Sequence, residues 1–269
     1  MISLARNLAV ELYRRDRVLT VFAAVAAAAA ILTALPLAFD TRLVTGLNPW
    51  VKPTKFFASF ALYFATFGWL LAYLPRPNRR VSLIRWVTGL CLLLEAPALI
   101  VQPLRGVTSH FNTASGLDTF LFYIMGVGAF TQLAMVAWAL VLFCICKVQL
   151  PAAPLAGIRA GLALWLLGII PGLVMLVLGA HNVGVADGGP GLPLLNWSTV
   201  GGDLRIAHFL GLHALQVLPL AGFAAQRLRK SPADRGGRIA FDLIVAGYAF
   251  AMLATCVQAM AGMPLIALN

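Results

Sequence analysis

Four histidines and one carboxylate are the side chains of this chain best suited to chemistry: His110, His181, His208, His213 and Glu95. Neutral imidazole is the commonest protein ligand for metals, and a carboxylate can complete a zinc or iron site. His110, His181, His208 and His213 are therefore candidate ligands for a divalent metal such as zinc, or for haem. His208 and His213 share the stretch "GGDLRIAHFLGLHALQVLPL", residues 201 to 220. Five residues apart on a helix, they point about 140° away from each other and cannot chelate as an i, i+4 pair does. Each could still join a ligand from another segment. A second chemistry needs no metal: Glu95 with His213 makes a catalytic or proton-relaying pair of the carboxylate and histidine type.

The elements that must position these groups cross a membrane. Hydrophobic residues make up 61% of the 269 and charged residues 11%, far below the ~25% charge of a soluble domain. Apolar runs of the length that crosses ~30 Å of hydrocarbon recur seven times, at 18–39, 56–74, 84–103, 119–146, 156–180, 205–225 and 239–261. Spanning segments must satisfy their own backbone, so the expected fold is an all-α integral membrane protein, a seven-transmembrane-helix bundle. Residues 1–17 place Leu4, Leu8 and Leu12 on one face among arginines, which predicts an amphipathic segment lying on the inner leaflet before a membrane domain at 18–269. The first run is too long for a signal peptide and is expected to stay as an anchor. Pro36, Pro97, Pro103, Pro171 and Pro219 interrupt the spans, and each frees a backbone carbonyl.

Charge sets the orientation. Of the 20 basic residues, 15 fall before the first span or in or flanking the connections 2/3, 4/5 and 6/7, among them Arg229 and Lys230. The other five, Arg42, Lys52, Lys55, Arg105 and Arg205, lie on the opposite side. The positive-inside rule then expects a cytoplasmic N-terminus and an extracytoplasmic C-terminus in a bacterial inner membrane. The net charge of +11 is thus a topology signal, and no nucleic-acid partner is implied. Cys144 and Cys146 form no CxxC pair and read as apolar fillers.

With that orientation, all four histidines and Glu95 fall in the extracytoplasmic half. His208 lies about 7 Å and His213 about 15 Å into the sixth span, at 1.5 Å per residue. Glu95 is the one carboxylate expected deep in the bilayer, where a charge costs about 2.5 to 3.5 kcal/mol, so it should be protonated, paired or facing water. The long outer connections, 104–118 and 181–204, bring Asn112, Asn182 and Asp203 to the same side. The helices that follow "SGLD" and "TVGGD" turn their positive ends outward beside Arg105 and Arg205, which suits an anionic small molecule. The expected ligand-binding set is Arg105, Arg205, Asp203, Asn112, Asn182 and Gln216. The cytoplasmic half offers only Gln132 and Asp242 as a polar path, which favours an open-ended pocket over a channel.

Other readings compete. Ser109, His110, Asp118, His208 and His213 supply the residue types of a zinc-dependent seven-helix lipid hydrolase, without its spacing. A small-molecule or proton-coupled transporter would use Glu95. A structural membrane subunit would need only that Gln132, Gln216 and Gln258 join helices by hydrogen bonds.

The segments "RGVTSHFN" and "GGDLRIAHFLGLHALQ" resemble stretches found in a family of uncharacterised bacterial multi-pass membrane proteins. That resemblance covers the outer 3/4 connection and the sixth span and implies a multi-pass fold. It brings no activity and no site residues.

Overall fold

The computed structural model describes residues 2–228 and 235–268. Arg229 and Lys230, counted above among the basic residues of the 6/7 connection, lie outside the described residues. Among the described residues eight α-helices follow one another: α1 (Ile2–Arg15), α2 (Arg17–Ala34), α3 (Val51–Leu71), α4 (Arg79–Arg105), α5 (Gly116–Ile145), α6 (Ala152–Leu178), α7 (Leu204–Leu228) and α8 (Arg235–Met260). Among the described residues seven stretches are long and apolar enough to cross a membrane: Arg17–Ala38, Val51–Leu71, Arg79–Arg105, Gly116–Ile145, Ala152–Leu178, Leu204–Leu228 and Gly236–Met260. The protein is an all-helical, multi-pass membrane protein. Its helices turn large apolar side chains outward, Val177, Leu220 and Phe250 among them, as a surface solvated by lipid requires.

The expected spans are found in order, with shifted ends. The second begins at Val51 rather than 56, after a turn in which Asn48 Oδ1 accepts from the Trp50 N–H. Of the prolines expected to interrupt spans, Pro36 does so, as α2 stops at Ala34 and a 3-10 turn, Leu35–Ala38, follows, whereas Pro97, Pro103, Pro171 and Pro219 lie inside continuous helices.

Two compact units divide the chain, residues 1–135 and 136–269, with the boundary inside α5. In the first, α1 and α2 are separated by Asp16, an extended residue whose carboxylate accepts from the Leu19 backbone at 3.0 Å and so caps α2. The helices α2, α3 and α4 share a core of Leu19, Phe57, Phe64, Phe67, Ile84 and Leu99. Asn78 caps the start of α4 by accepting from Arg80 and Val81. Its end is a Schellman motif: Gly106 takes φ of 70°, Val107 N donates to Gln102 O and Gly106 N to Pro103 O.

In the second unit α6 and α7 cross at close backbone range. A Cβ built on Gly168 would sit 2.4 Å from the Cα of Gly211, and one on Gly157 would sit 2.5 Å from the Leu218 carbonyl oxygen. "GIRAG" and "GIIPG" in α6 are both G-x-x-x-G patterns, the spacing that lets membrane helices approach closely. Two short strands, β1 (Asn182–Val183) and β2 (Gly202–Asp203), pair antiparallel with Asn182 opposite Asp203. Gly202 lies flush on the end of α8, where a Cβ would meet the Ala259 carbonyl.

Candidate functional site

In the first unit, one face of α4 carries a row of polar residues. Thr88, Glu95 and Gln102 are all buried and recur every seven residues, about 10.5 Å of rise, two turns less ~20°. Arg85 continues the row toward the start of the helix and Arg105 ends it.

Each position on this row meets a neighbouring element. Arg85 forms an ion pair with the buried Asp16 at the head of α2. The Thr88 carbonyl accepts from Gln132 Nε2 of α5 at 3.0 Å, and Gln132 Oε1 accepts from the Tyr63 hydroxyl of α3 at 3.1 Å. Glu95 lies against Gly128 of α5, where a Cβ would stand 3.1 Å from its Cγ and 3.3 Å from Oε1. With 7% of its surface exposed, Glu95 has neither a hydrogen bond nor an ion pair among the described residues. Gly128 is what gives that carboxyl its space.

The far end of the row is densely bonded. Gln102 Nε2 donates to Asp118 Oδ1 at 2.7 Å, Arg105 donates to both Asp118 and Gln102, and Ser115 donates to Asp118 Oδ2. The Asp118 backbone N–H donates back to Ser115 Oγ at 3.2 Å. Ser115 of "SGLD" therefore caps the start of α5. Nearby, Arg42 donates to the Pro103 and Leu104 carbonyls at the end of α4 and pairs with Asp40, which also accepts from Trp50 Nε1. The Arg42 guanidinium holds the Asp40 carboxyl well below the usual range, against the opposing effect of desolvation.

His110 Nδ1 is 3.1 Å from Ser109 Oγ, with the ring edge-on to Phe56. Asn112 bonds within its own loop, to the Thr108 carbonyl and the Ala114 N–H. Asp118 is bonded to Arg105, Gln102 and Ser115.

In the second unit, the connection 181–204 is tied down by two carboxylates. Asp187 accepts from the backbones of His181 and Asn182 and lies 2.5 Å from His181 Nδ1. Burial raises its pKa, but these bonds outweigh burial and lower it to about 2. Asp203, almost fully buried, accepts from the Ser198 backbone and from the Arg205 guanidinium, which also reaches the Asn196 carbonyl. Asp203 and Arg205 thus hold each other and the base of the loop, with Trp197 against Phe209 at 5.6 Å.

His208 and His213 face different surroundings. His208 Nδ1 is 2.8 Å from the Gly168 carbonyl, so it donates there, and the ring covers Gly172 in the seam with α6. His213 stands 4.2 Å from the Phe209 ring and is hydrogen-bonded to Gln216.

Among the described residues, no three His, Cys, Asp or Glu side chains are grouped closely enough to hold a metal ion. Metal or haem ligation by His110, His181, His208 and His213 is therefore not supported: His181 lies on Asp187, His208 on the Gly168 carbonyl and His213 against Phe209. No protein family, curated protein or solved structure matches this chain.

The polar path that the sequence restricted to Gln132 and Asp242 is different in the structure. Gln132 is joined by Tyr63 and Thr88, and the Asp16–Arg85 pair closes the end of the row. Asp242 instead lies exposed and 3.8 Å from Arg238. The seven-residue spacing of Thr88, Glu95 and Gln102 was the available signal; Tyr63 had none, because its partner lies 69 residues away.

Proposed function

We propose that this protein is a proton-coupled transporter of a bacterial inner membrane, with Glu95 as its proton-binding residue. The charge distribution supports a cytoplasmic N-terminus and an outer C-terminus. On that orientation the Asp118–Arg105 end of the row faces outward and the Asp16–Arg85 end faces inward. The observation that carries the reading is Glu95 itself: a buried carboxyl, without hydrogen bond or ion pair among the described residues, midway along a polar row that runs the length of α4.

A structural carboxylate at that depth is held by a partner, because an unpaired buried charge is expensive. Glu95 instead has space against Gly128 and polar groups about two turns away on either side. Such a group binds a proton when neutral and must find water or a cation when ionised, which couples its protonation to a change in the surrounding helices. The anionic-ligand reading is less well supported, since Arg105 and Arg205 are each already paired with a carboxylate.

The test uses the purified chain in liposomes with an entrapped pH dye and an imposed potassium diffusion potential. Wild type is expected to move protons faster than protein-free liposomes, Glu95→Gln to fall to their level, and Glu95→Asp to retain part of the flux. Equal flux in wild type and Glu95→Gln overturns the proposal, as does wild-type flux no greater than that of protein-free liposomes.

A further inference from the structure

The start of α4 carries a second feature, independent of Glu95. A pocket of about 500 Å³ is lined by Arg76, Pro77, Asn78, Arg79, Ser82 and Arg85. Three guanidinium groups converge on it and none of its lining residues is acidic. Arg85 is paired with Asp16 and Arg76 donates to the Arg15 carbonyl at the end of α1, so both are held in place. Arg79 and the Ser82 hydroxyl have no hydrogen-bond partner among the described residues. The Asn78 side chain is spent on capping, which leaves the positive end of α4 beside these donors.

The same helix face continues as an apolar strip. Leu83, Trp86, Leu90 and Leu93 are all about half exposed and follow Arg79 and Ser82 at spacings of three to four residues, one above the next. A phosphate would satisfy the head of this face and hydrocarbon would cover the rest. Free phosphate has no use for the strip. The pocket lies at the end of a membrane-crossing helix, where headgroups are found, and α1, which exposes Leu8, Val10 and Tyr13, ends at Arg14 and Arg15 beside it.

We infer that this face binds one anionic phospholipid, its phosphate among Arg76, Arg79 and Ser82 and an acyl chain along Leu83, Trp86 and Leu90. Guanidinium groups suit this ligand because their planar donors match phosphate oxygens in pairs.

The experiment is native mass spectrometry of the full chain in neutral detergent, titrated with phosphatidylglycerol, phosphatidylcholine or inorganic phosphate. Wild type is expected to take up one phosphatidylglycerol in preference to phosphatidylcholine. The Arg76→Gln/Arg79→Gln double variant should bind it roughly thirtyfold more weakly, from the loss of two interfacial charges. Arg227→Gln, an exposed arginine at the end of α7, should bind as wild type does. Equal uptake of the two lipids, unchanged binding by the double variant, or an equal loss in Arg227→Gln overturns the site. Inorganic phosphate that displaces the lipid at equal concentration would show a free-anion site and overturn the lipid assignment. Both arginines are exposed, and an unchanged unfolding temperature without lipid would show that the double variant is folded.

Discussion

Gly168→Ala tests whether the α6–α7 crossing is set by glycine contact. The added methyl would stand 2.4 Å from the Gly211 Cα, where ordinary contact begins at 3.4 Å, so the helices must part by about 1 Å. The atoms in the way are backbone and have no rotamer by which to move aside. Parting by that amount also stretches the His208 Nδ1 bond to the Gly168 carbonyl from 2.8 Å to beyond hydrogen-bonding range. Overpacking costs about 1–3 kcal/mol, and the lost bond adds about 0.6 kcal/mol, the average measured between membrane helices. Alanine's better helix propensity offsets up to ~1 kcal/mol. Gly247→Ala in α8 isolates that offset, because a Cβ there meets nothing within 4 Å. Unfolding in mixed micelles with rising SDS fraction, followed by tryptophan fluorescence, should show Gly168→Ala about 2 kcal/mol less stable than Gly247→Ala. Trp165, on α6 and mostly buried, reports on the affected seam. Equal stability of the two variants would refute the packing argument.

Two further outcomes follow from buried charge. Asp16→Asn keeps a capping side chain but leaves Arg85 unpaired, and should cost about 3 kcal/mol in the same assay; Asp16→Ala should cost about 1 kcal/mol more through the lost cap, and equal effects would show the cap to be idle. The carboxyl of Asp187 has its folded pKa lowered to about 2 from an ordinary value of 3.8, so the stability it contributes is present above about pH 4 and is lost as pH falls toward 2. Asp187→Asn should flatten that acid limb of stability against pH, and an unchanged limb would show that the loop bonds do not drive it.

Membrane class and the number of spans were legible in the chain because hydrocarbon imposes a length and a composition that local sequence must meet by itself. The helix ends were partly legible for the same reason. "SGLD" acts within a few residues of where it stands, and Pro36 stops its helix without help from afar. Glu95 stood out because a carboxylate in an apolar run is conspicuous wherever the run packs.

What its neighbours do could be decided only in three dimensions. The ion pair of Asp16 with Arg85 and the bond from Tyr63 to Gln132 join residues 69 positions apart in each case, and no periodicity announces such partners. The histidines show the limit from the other side. Their residue type suggested shared ligation, but one imidazole lies on a glycine seam, another against a phenylalanine, and a third on an aspartate of its own loop. Sequence alone determined which groups the membrane must accommodate, since the cost of burying each one is a property of the group and its depth. Tertiary structure decided which of them found partners, because only helix packing settles what lies within 3 Å of a side chain, and among these groups it left the Glu95 carboxyl with neither a hydrogen bond nor an ion pair among the described residues.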